Sequence, residues 1–331
     1  MIEVNHIARE FRRAKQVHGA FGGLRTFFAR ESEIVHAVED VSFHIDAGEV
    51  VGYLGANGAG KSTTIKMLSG ILVPTSGEVR VNGLIPWENR EENALNIGVV
   101  FGQRTQLWWD LPLIDSLRII SKLYQLDTDR FQRNLARLDD MLGLAPFLDA
   151  PVRQLSLGQR MRGDLAAAML YEPKILYLDE PTIGLDVVAK ERMRNFIEQV
   201  NQESGTTIML TTHDLADVER LTKRIIFIDK GRVLFDGPVA ELKHRYSPFR
   251  ELHVTLVPNG NEASSVDDIA GVIHVEATPT SLVIRFDPER IAVADLIAAV
   301  VARYAVNDLA IVEPALENVV REIVQSGEVR A

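Results

Sequence analysis

Gly55-Ala56-Asn57-Gly58-Ala59-Gly60-Lys61-Ser62 follows the pattern G-x-x-x-x-G-K-[ST] after an apolar run and before a helical one. The chemistry such a loop performs is the cradling of a nucleoside triphosphate. Glycines let backbone N–H groups turn inward and close on phosphate oxygens that a side chain would obstruct. Lys61 carries a point charge to the β- and γ-phosphates, Ser62 offers a hydroxyl to Mg²⁺, and Thr63 is placed for the α-phosphate. The helix that follows presents its positive N-terminal end.

A second set of residues could hydrolyse what the loop binds. The run Ile175-Leu176-Tyr177-Leu178 ends in Asp179-Glu180. Adjacent strand residues point to opposite faces, so the two acids are expected to take different tasks. Asp179 would belong to the Mg²⁺ shell, and Glu180 would accept a proton from the attacking water. Two acids closing a strand are common; beside a phosphate loop they acquire meaning. His213 follows the run Thr207 to Thr212, at a sheet's C-terminal edge where it could reach a γ-phosphate. Gln103 follows another strand, with an amide oxygen for Mg²⁺ and an amine for the water, and Gln106 is a rival for that task.

The elements that must position these groups alternate short β-rich runs with helical patterns from about Val41 to Gly237, which predicts a mainly parallel sheet flanked by helices. Strands are expected at Val50 to Leu54, Ile97 to Phe101, Ile175 to Leu178 and Thr207 to Thr211, each followed by a polar loop at the edge where open α/β sheets bind ligands. Arg224 to Asp229 and Arg232 to Phe235 read as a hairpin about Lys230-Gly231. A small α+β domain follows, with strands at Leu252 to Val257, Val272 to Ala277, Leu282 to Phe286 and Asp308 to Val312. Its helices are expected at Ile291 to Tyr304 and Leu316 to Val324. The domains are thus read as 1–244 and 245–331, the second without a catalytic constellation.

A chain of 331 residues with 46% apolar and 25% charged residues is an ordinary globular composition. With 36 basic and 46 acidic residues the net charge is −10, which disfavours nucleic acid as a partner. There is no cysteine, hence no disulfide and no thiolate metal site. Met1 is followed by Ile-Glu-Val-Asn-His, so no signal peptide is expected, and no apolar run reaches the length of a transmembrane helix, so a membrane role is expected to come through a partner. Between Phe11 and Arg30 lie five Lys or Arg and no acid, interleaved with Phe21, Leu24, Phe27 and Phe28. This basic insert, near 12–34, reads equally as an amphipathic element against a membrane or permease and as a solvated loop.

Together these residues resemble the nucleotide-binding subunits of ABC transporters, over roughly Val4 to Pro238. The discriminating piece is Leu155-Ser156-Leu157-Gly158-Gln159, similar to the family's signature and lying upstream of Asp179-Glu180. The resemblance continues through Pro181-Thr182 and Ile183-Gly184-Leu185-Asp186, like the loop by which two cassettes communicate, to His213, like the family's switch histidine. It implies an α/β P-loop cassette with a mixed sheet and a helical signature region, and ATP with Mg²⁺ as the bound pair. Two cassettes would meet head to tail, expected as a homodimer, with Ser156, Gly158 and Gln159 of one meeting the ATP held by the other and Asp186 carrying the communication. An aromatic residue stacks on adenine in this family, and Phe11 is the choice, with Phe27 and Phe28 as substitutes. Two positions depart from the pattern: Leu157 stands where a glycine is usual, and Gly102 separates Phe101 from Gln103.

Within the family, the N-terminal insert, the stretch Gln-Leu-Trp-Trp-Asp-Leu-Pro after Gln103 and the C-terminal domain look like bacterial type-2 exporter ATPases. That implies a transmembrane permease as partner and a peripheral place on the cytoplasmic face of the membrane. Trp108 and Trp109 are read as part of the permease groove or as core. Chromosome-maintenance relatives insert a long coiled coil between phosphate loop and signature, and Lys61 to Leu155 is only 155 − 61 = 94 positions. The alternative function is a non-transport ABC ATPase with a regulatory role.

Overall fold

The structure is a computed structural model that describes residues 1–14, 32–102, 104–212, 214–246, 249–257, 266–312, 316, 319 and 320. Gln103, His213, Phe27, Phe28, most of the basic insert and most of the final helix read from the sequence lie outside the described residues. The chain divides into two units, Met1–Gly237 and Pro238–Ala331.

The first unit is built on a nine-stranded sheet in the order β4-β1-β2-β9-β8-β3-β7-β6-β5. Its parallel part comprises β8 (Arg224–Asp229), β3 (Val50–Gly55), β7 (Thr207–Thr211), β6 (Ile175–Asp179) and β5 (Ile97–Phe101). β6 and β7 are buried at every position. Strands covered on both faces have no solvated side, which is why they read as continuous apolar runs. Beyond β9 (Arg232–Pro238), which β2 (Ser32–Ile45) joins in parallel at Asp40, the sheet turns antiparallel from β2 to β1 (Ile2–Ala14) and β4 (Ser76–Val81). Here Ile2, Val4, Val41, Phe43 and Ile45 are buried while Glu3 and His44 point out, the period-2 alternation of a half-covered sheet. The sequence reading begins the sheet only at about Val41. Register shifts between Val4 and Ile7 and again between Ile7 and Arg9 interrupt the alternation in β1 and conceal it.

Helices cover the sheet: α1 (Lys61–Leu68), α2 (Arg90–Asn96), α3 (Leu113–Leu123), α4 (Thr128–Leu142), α5 (Leu157–Met169), α6 (Val187–Ser204) and α7 (Leu215–Leu221). Their ends are set by local chemistry. Asp127 accepts a hydrogen bond from the Arg130 N–H at the start of α4, and Gly143, at φ 61°, ends it. Ser156 and Gln159 form a reciprocal capping box at the start of α5. Asp186 caps α6 by accepting from the Ala189 N–H. One core lies where α3 to α6 meet the sheet, around Leu113, Leu117, Leu165, Leu176 and Phe196. A second joins α1 to β1 and β2 through Ile65, Met67, Val38 and Tyr53.

The second unit comprises α8 (Val239–Tyr246), β10 (Arg250–Leu256), β11 (Val272–Thr278), β12 (Ser281–Phe286), α9 (Val293–Arg303) and β13 (Val306–Val312). Its antiparallel sheet runs β11-β12-β10-β13, with Leu252, Val254, Leu282, Ile284 and Phe286 packed with Leu296 and Val300 of α9. Among the described residues no helix is long and apolar enough to cross a membrane.

Candidate nucleotide site

The phosphate loop joins the buried strand β3 to α1, and its glycines are required by its surroundings. A Cβ on Gly55 would stand 2.3 Å from the Ile228 carbonyl oxygen, and one on Gly60, at φ 109°, 2.5 Å from that of Ala37. Lys61 is buried, and its Nζ donates to the carbonyl oxygens of Gly55 at 2.7 Å and Ala56 at 3.2 Å. Burial pulls its pKa down, opposed by the charges of Glu180 and Asp179. Asn57, Gly58, Gly60, Lys61, Ser62 and Thr63 line a cleft of about 650 Å³. Ala59 is buried and builds the loop, its carbonyl accepting from Gly231 N–H at 3.1 Å.

The opposite wall comes from the ends of β5 and β6. Phe101, Asp179 and Thr211 stand side by side in the parallel register of β5, β6 and β7. Thr211 Oγ1 donates to Asp179 Oδ1 at 2.6 Å, fixing a carboxylate that is almost wholly buried. The strand stops there. Glu180 adopts a left-handed conformation with φ 56°, and its N–H is shared between the Thr211 carbonyl at 3.0 Å and Oγ1 at 3.1 Å. Strand alternation would send the two carboxylates to opposite faces, but the left-handed turn brings both to the wall of one cleft. A non-glycine residue held at positive φ is a cost that persists only when the surroundings enforce it, and such residues gather at functional sites.

Gly102 is part of that enforcement. Its N–H donates to the Asp179 carbonyl at 2.7 Å, and a Cβ at this position would fall 2.2 Å from the Glu180 carbonyl oxygen. The glycine that interrupts the Phe-Gln pair therefore has a steric reason. Gln106 is drawn elsewhere: its side-chain amide donates to the Asp164 carbonyl at 3.1 Å, and its N–H to Asp164 Oδ1 at 3.0 Å. It does not line the cleft. Asp164, buried in α5, also accepts from Thr105 Oγ1 at 2.9 Å, and burial pushes its pKa up to about 6 against the pull of those bonds.

The signature residues stand apart from this cleft. Gln159 Oε1 accepts from Ser156 N–H at 2.8 Å, while Gln159 N–H donates to Ser156 Oγ at 3.2 Å. The Ser156 hydroxyl proton is left able to donate outward. Leu157, the other departure from the family pattern, lies against the communication loop: a Cβ on Gly184 would be 2.9 Å from Leu157 Cδ2. In the same loop Thr182 Oγ1 donates to the fully buried Asp217 at 2.6 Å, and Arg194 Nε donates to the other oxygen at 2.7 Å. Phe11 pairs with Val35 across β1 and β2, two residues along β2 from the cleft residue Ala37, with the Arg9 guanidinium 4.8 Å from its ring centroid. Trp108 and Trp109 are 39% and 50% exposed, so neither is a core residue.

The sequence reading missed Ala37, Lys66, Ile71 and Arg104 as cleft residues, and Thr211 as the partner of both acids. Thr211 could have been found from its place at the end of a strand parallel to the one ending in Asp179. The cleft thus brings a cationic, N–H-rich loop against two carboxylates and a hydroxyl. That arrangement can hold a polyphosphate and activate water beside it.

A family model described as "ABC transporter" matches residues 38–183. The ABC transporter ATP-binding protein NatA of Bacillus subtilis is 34% identical over 65% of this chain and 87% of its own. The daunorubicin/doxorubicin resistance ATP-binding protein DrrA of Streptomyces peucetius is 34% identical over 77% of each chain. A solved dimeric ATP-binding cassette in a post-hydrolysis state, bound to ADP and phosphate, superposes with a TM-score of 0.60 at 25% identity, covering 72% of this chain and 99% of its own. With the phosphate loop, the acid pair and the signature in place, the chain belongs to the ABC transporter family, as one of its ATP-hydrolysing ATP-binding subunits.

Proposed function

We propose that this subunit powers export by a separate transmembrane permease, working at the cytoplasmic face of the membrane as a dimer that closes on ATP. The observation that carries the reading is the meeting of Lys61, Ser62, Asp179 and Glu180 on the walls of one cleft. Export is supported by the likeness to subunits named for drug resistance, including the linearmycin resistance protein LnrL of Bacillus subtilis, 31% identical over 85% of this chain and 91% of its own. The exposed Trp108 and Trp109 suit a surface that grips a permease.

In the mechanism, loop N–H groups and Lys61 hold the β- and γ-phosphates, Thr63 the α-phosphate, and Phe11 the base. Hard oxygen donors are what Mg²⁺ requires, and the Ser62 hydroxyl and the Asp179 carboxylate fit it, with Gln103 as a further donor. When bound, the ion would neutralise charge on the phosphate oxygens. Glu180 takes a proton from the water that attacks the γ-phosphorus, the bond to the ADP oxygen breaks, and His213 steadies the phosphate. Ser156 and Gly158, with Gln159 bracing the Ser156 cap, receive the γ-phosphate of the partner copy, and Asp186 lies on the loop between the two sites.

Purification of the tagged chain from mild-detergent extracts of its host, with and without Glu180→Gln, tests this. A multi-span protein should co-purify stoichiometrically, and Glu180→Gln should bind ATP, lose most turnover and accumulate as closed dimer. Recovery from soluble extract alone, or near-normal turnover of the variant, would overturn the transporter role or the role of Glu180 respectively.

A further inference from the structure

The cleft has a further cation that the phosphate-loop motif does not supply. Arg104 lines it together with Lys61, Asp179 and Glu180. Its position follows from the chain path. Phe101 ends β5 beside Asp179, and the backbone then doubles back so that Arg104 N–H donates to the Phe101 carbonyl at 3.1 Å, with the two residues forming an isolated antiparallel bridge. The tight return keeps Arg104 at the strand end instead of releasing it into the loop that follows. On its other side the segment is tied down by Thr105 and Gln106, both bonded to Asp164 of α5. Arg104 is thus held between two anchors, at the edge where the acids end.

Its side chain is exposed, and among the described residues none accepts a hydrogen bond from its guanidinium. That contrasts with Arg194, Arg220 and Arg224, each bonded to carboxylates. A guanidinium on the wall of a phosphate site, with no partner among the described residues, has the fork geometry for two phosphate oxygens at once. During phosphoryl transfer the developing charge spreads over the three equatorial oxygens of the γ-phosphoryl group, and a planar double donor suits it better than a point charge.

We propose that Arg104 is a catalytic residue that contacts the γ-phosphate of ATP held in this cleft, an arginine supplied in cis beside Lys61. The inference rests on the reading of the cleft as the nucleotide site. It follows that Arg104 recognises the triphosphate and is indifferent to the diphosphate, giving the subunit a means to hold ATP and release ADP.

Calorimetric titration of the full chain with the non-hydrolysable analogue AMP-PNP and with ADP tests this in Arg104→Ala and Arg104→Lys. Arg104→Ala should weaken AMP-PNP binding by about 10- to 100-fold, the range of a hydrogen bond to a charged group, and change ADP binding by less than about twofold. Arg104→Lys should recover part of the loss, and the melting temperature should not move, because the side chain is exposed. Equal loss for both nucleotides, or loss for neither, would overturn the proposal. So would a penalty that disappears in a Glu180→Gln background, since Arg104 would then act by pairing with that carboxylate. Lys61→Ala separates the two levels of the argument: it should weaken both nucleotides, and if it weakens neither, the cleft is not the nucleotide site and the proposal falls with it.

Discussion

Replacing Gly102 by alanine adds one methyl group, and the structure fixes where it goes. The new Cβ would stand 2.2 Å from the Glu180 carbonyl oxygen, 3.0 Å from its carbonyl carbon and 3.0 Å from the Asp179 carbonyl oxygen. Ordinary contact begins at 3.4 Å, so relief demands a movement of 3.4 − 2.2 = 1.2 Å. Gly102 is tethered by its 2.7 Å hydrogen bond to Asp179, and Asp179 is fixed by Thr211, so the displacement falls mainly on the Glu180 peptide. That peptide holds the left-handed turn which puts the carboxylate in the cleft. A misplacement of about 1 Å in a catalytic group costs on the order of 100-fold in rate, about 2.7 kcal/mol. Steady-state phosphate release should therefore show kcat reduced about 100-fold, with MgATP affinity close to that of the parent because Lys61 and Ser62 are not displaced. Retained nucleotide binding shows that the variant folds. A folded Gly102→Ala protein with kcat within about threefold of the parent would refute the claim that this contact positions Glu180.

Two further predictions concern the supports around the cleft. Asp164 is a buried carboxyl whose folded pKa, about 6, lies above its unfolded value near 3.8, so the native state holds the extra proton between those values and its stability falls as pH rises through that window. Above it the loss amounts to about 3 kcal/mol, and Asp164→Asn, which can still accept from Thr105 and Gln106, should gain stability at pH 8 and flatten that decline in urea unfolding. A pH dependence identical in parent and variant would show that the carboxyl is not displaced. Arg194→Leu leaves the fully buried Asp217 with Thr182 as its side-chain partner among the described residues, and should cost about 3–5 kcal/mol, or roughly 10 °C in melting temperature. The double variant with Asp217→Asn should recover much of that loss, and failure to recover any would deny the uncompensated charge as its cause.

The chemistry of the site was more legible than its geometry, for a physical reason. Gly55 to Ser62 is read from letters because a loop that wraps phosphate with its own backbone admits few side chains, and the parallel strands are read because burial on both faces makes them apolar throughout. Glu180 shows where this reading stops. Strand alternation sends it away from Asp179, but its direction is set by a left-handed turn that depends on Thr211 and Gly102, residues distant in sequence whose meaning appears only when three strands lie in register. Arg104 was overlooked for a similar reason, since a single cation after a strand carries no pattern until the chain is seen to double back. β1 was hidden by its bulges, which break the period on which its recognition depends.

The same dependence on tertiary register explains how events at the cleft can be felt outside it. Asp164 ties the segment after β5 to α5, the helix that starts at the signature residue Ser156. Leu157, one residue into that helix, rests on Gly184 of the communication loop, and Thr182 of that loop is held by Asp217 of α7, which follows position 213. The Thr182–Asp217 bond is buried and the Gln106–Asp164 bond half-buried, so a shift at either end of the series is passed on to the element packed against it. Leucine at position 157 makes that connection bulkier than glycine would. In the proposed dimer, closure of the signature onto a partner's ATP would press on the loop that leads back to Glu180, and so would link that closure to hydrolysis.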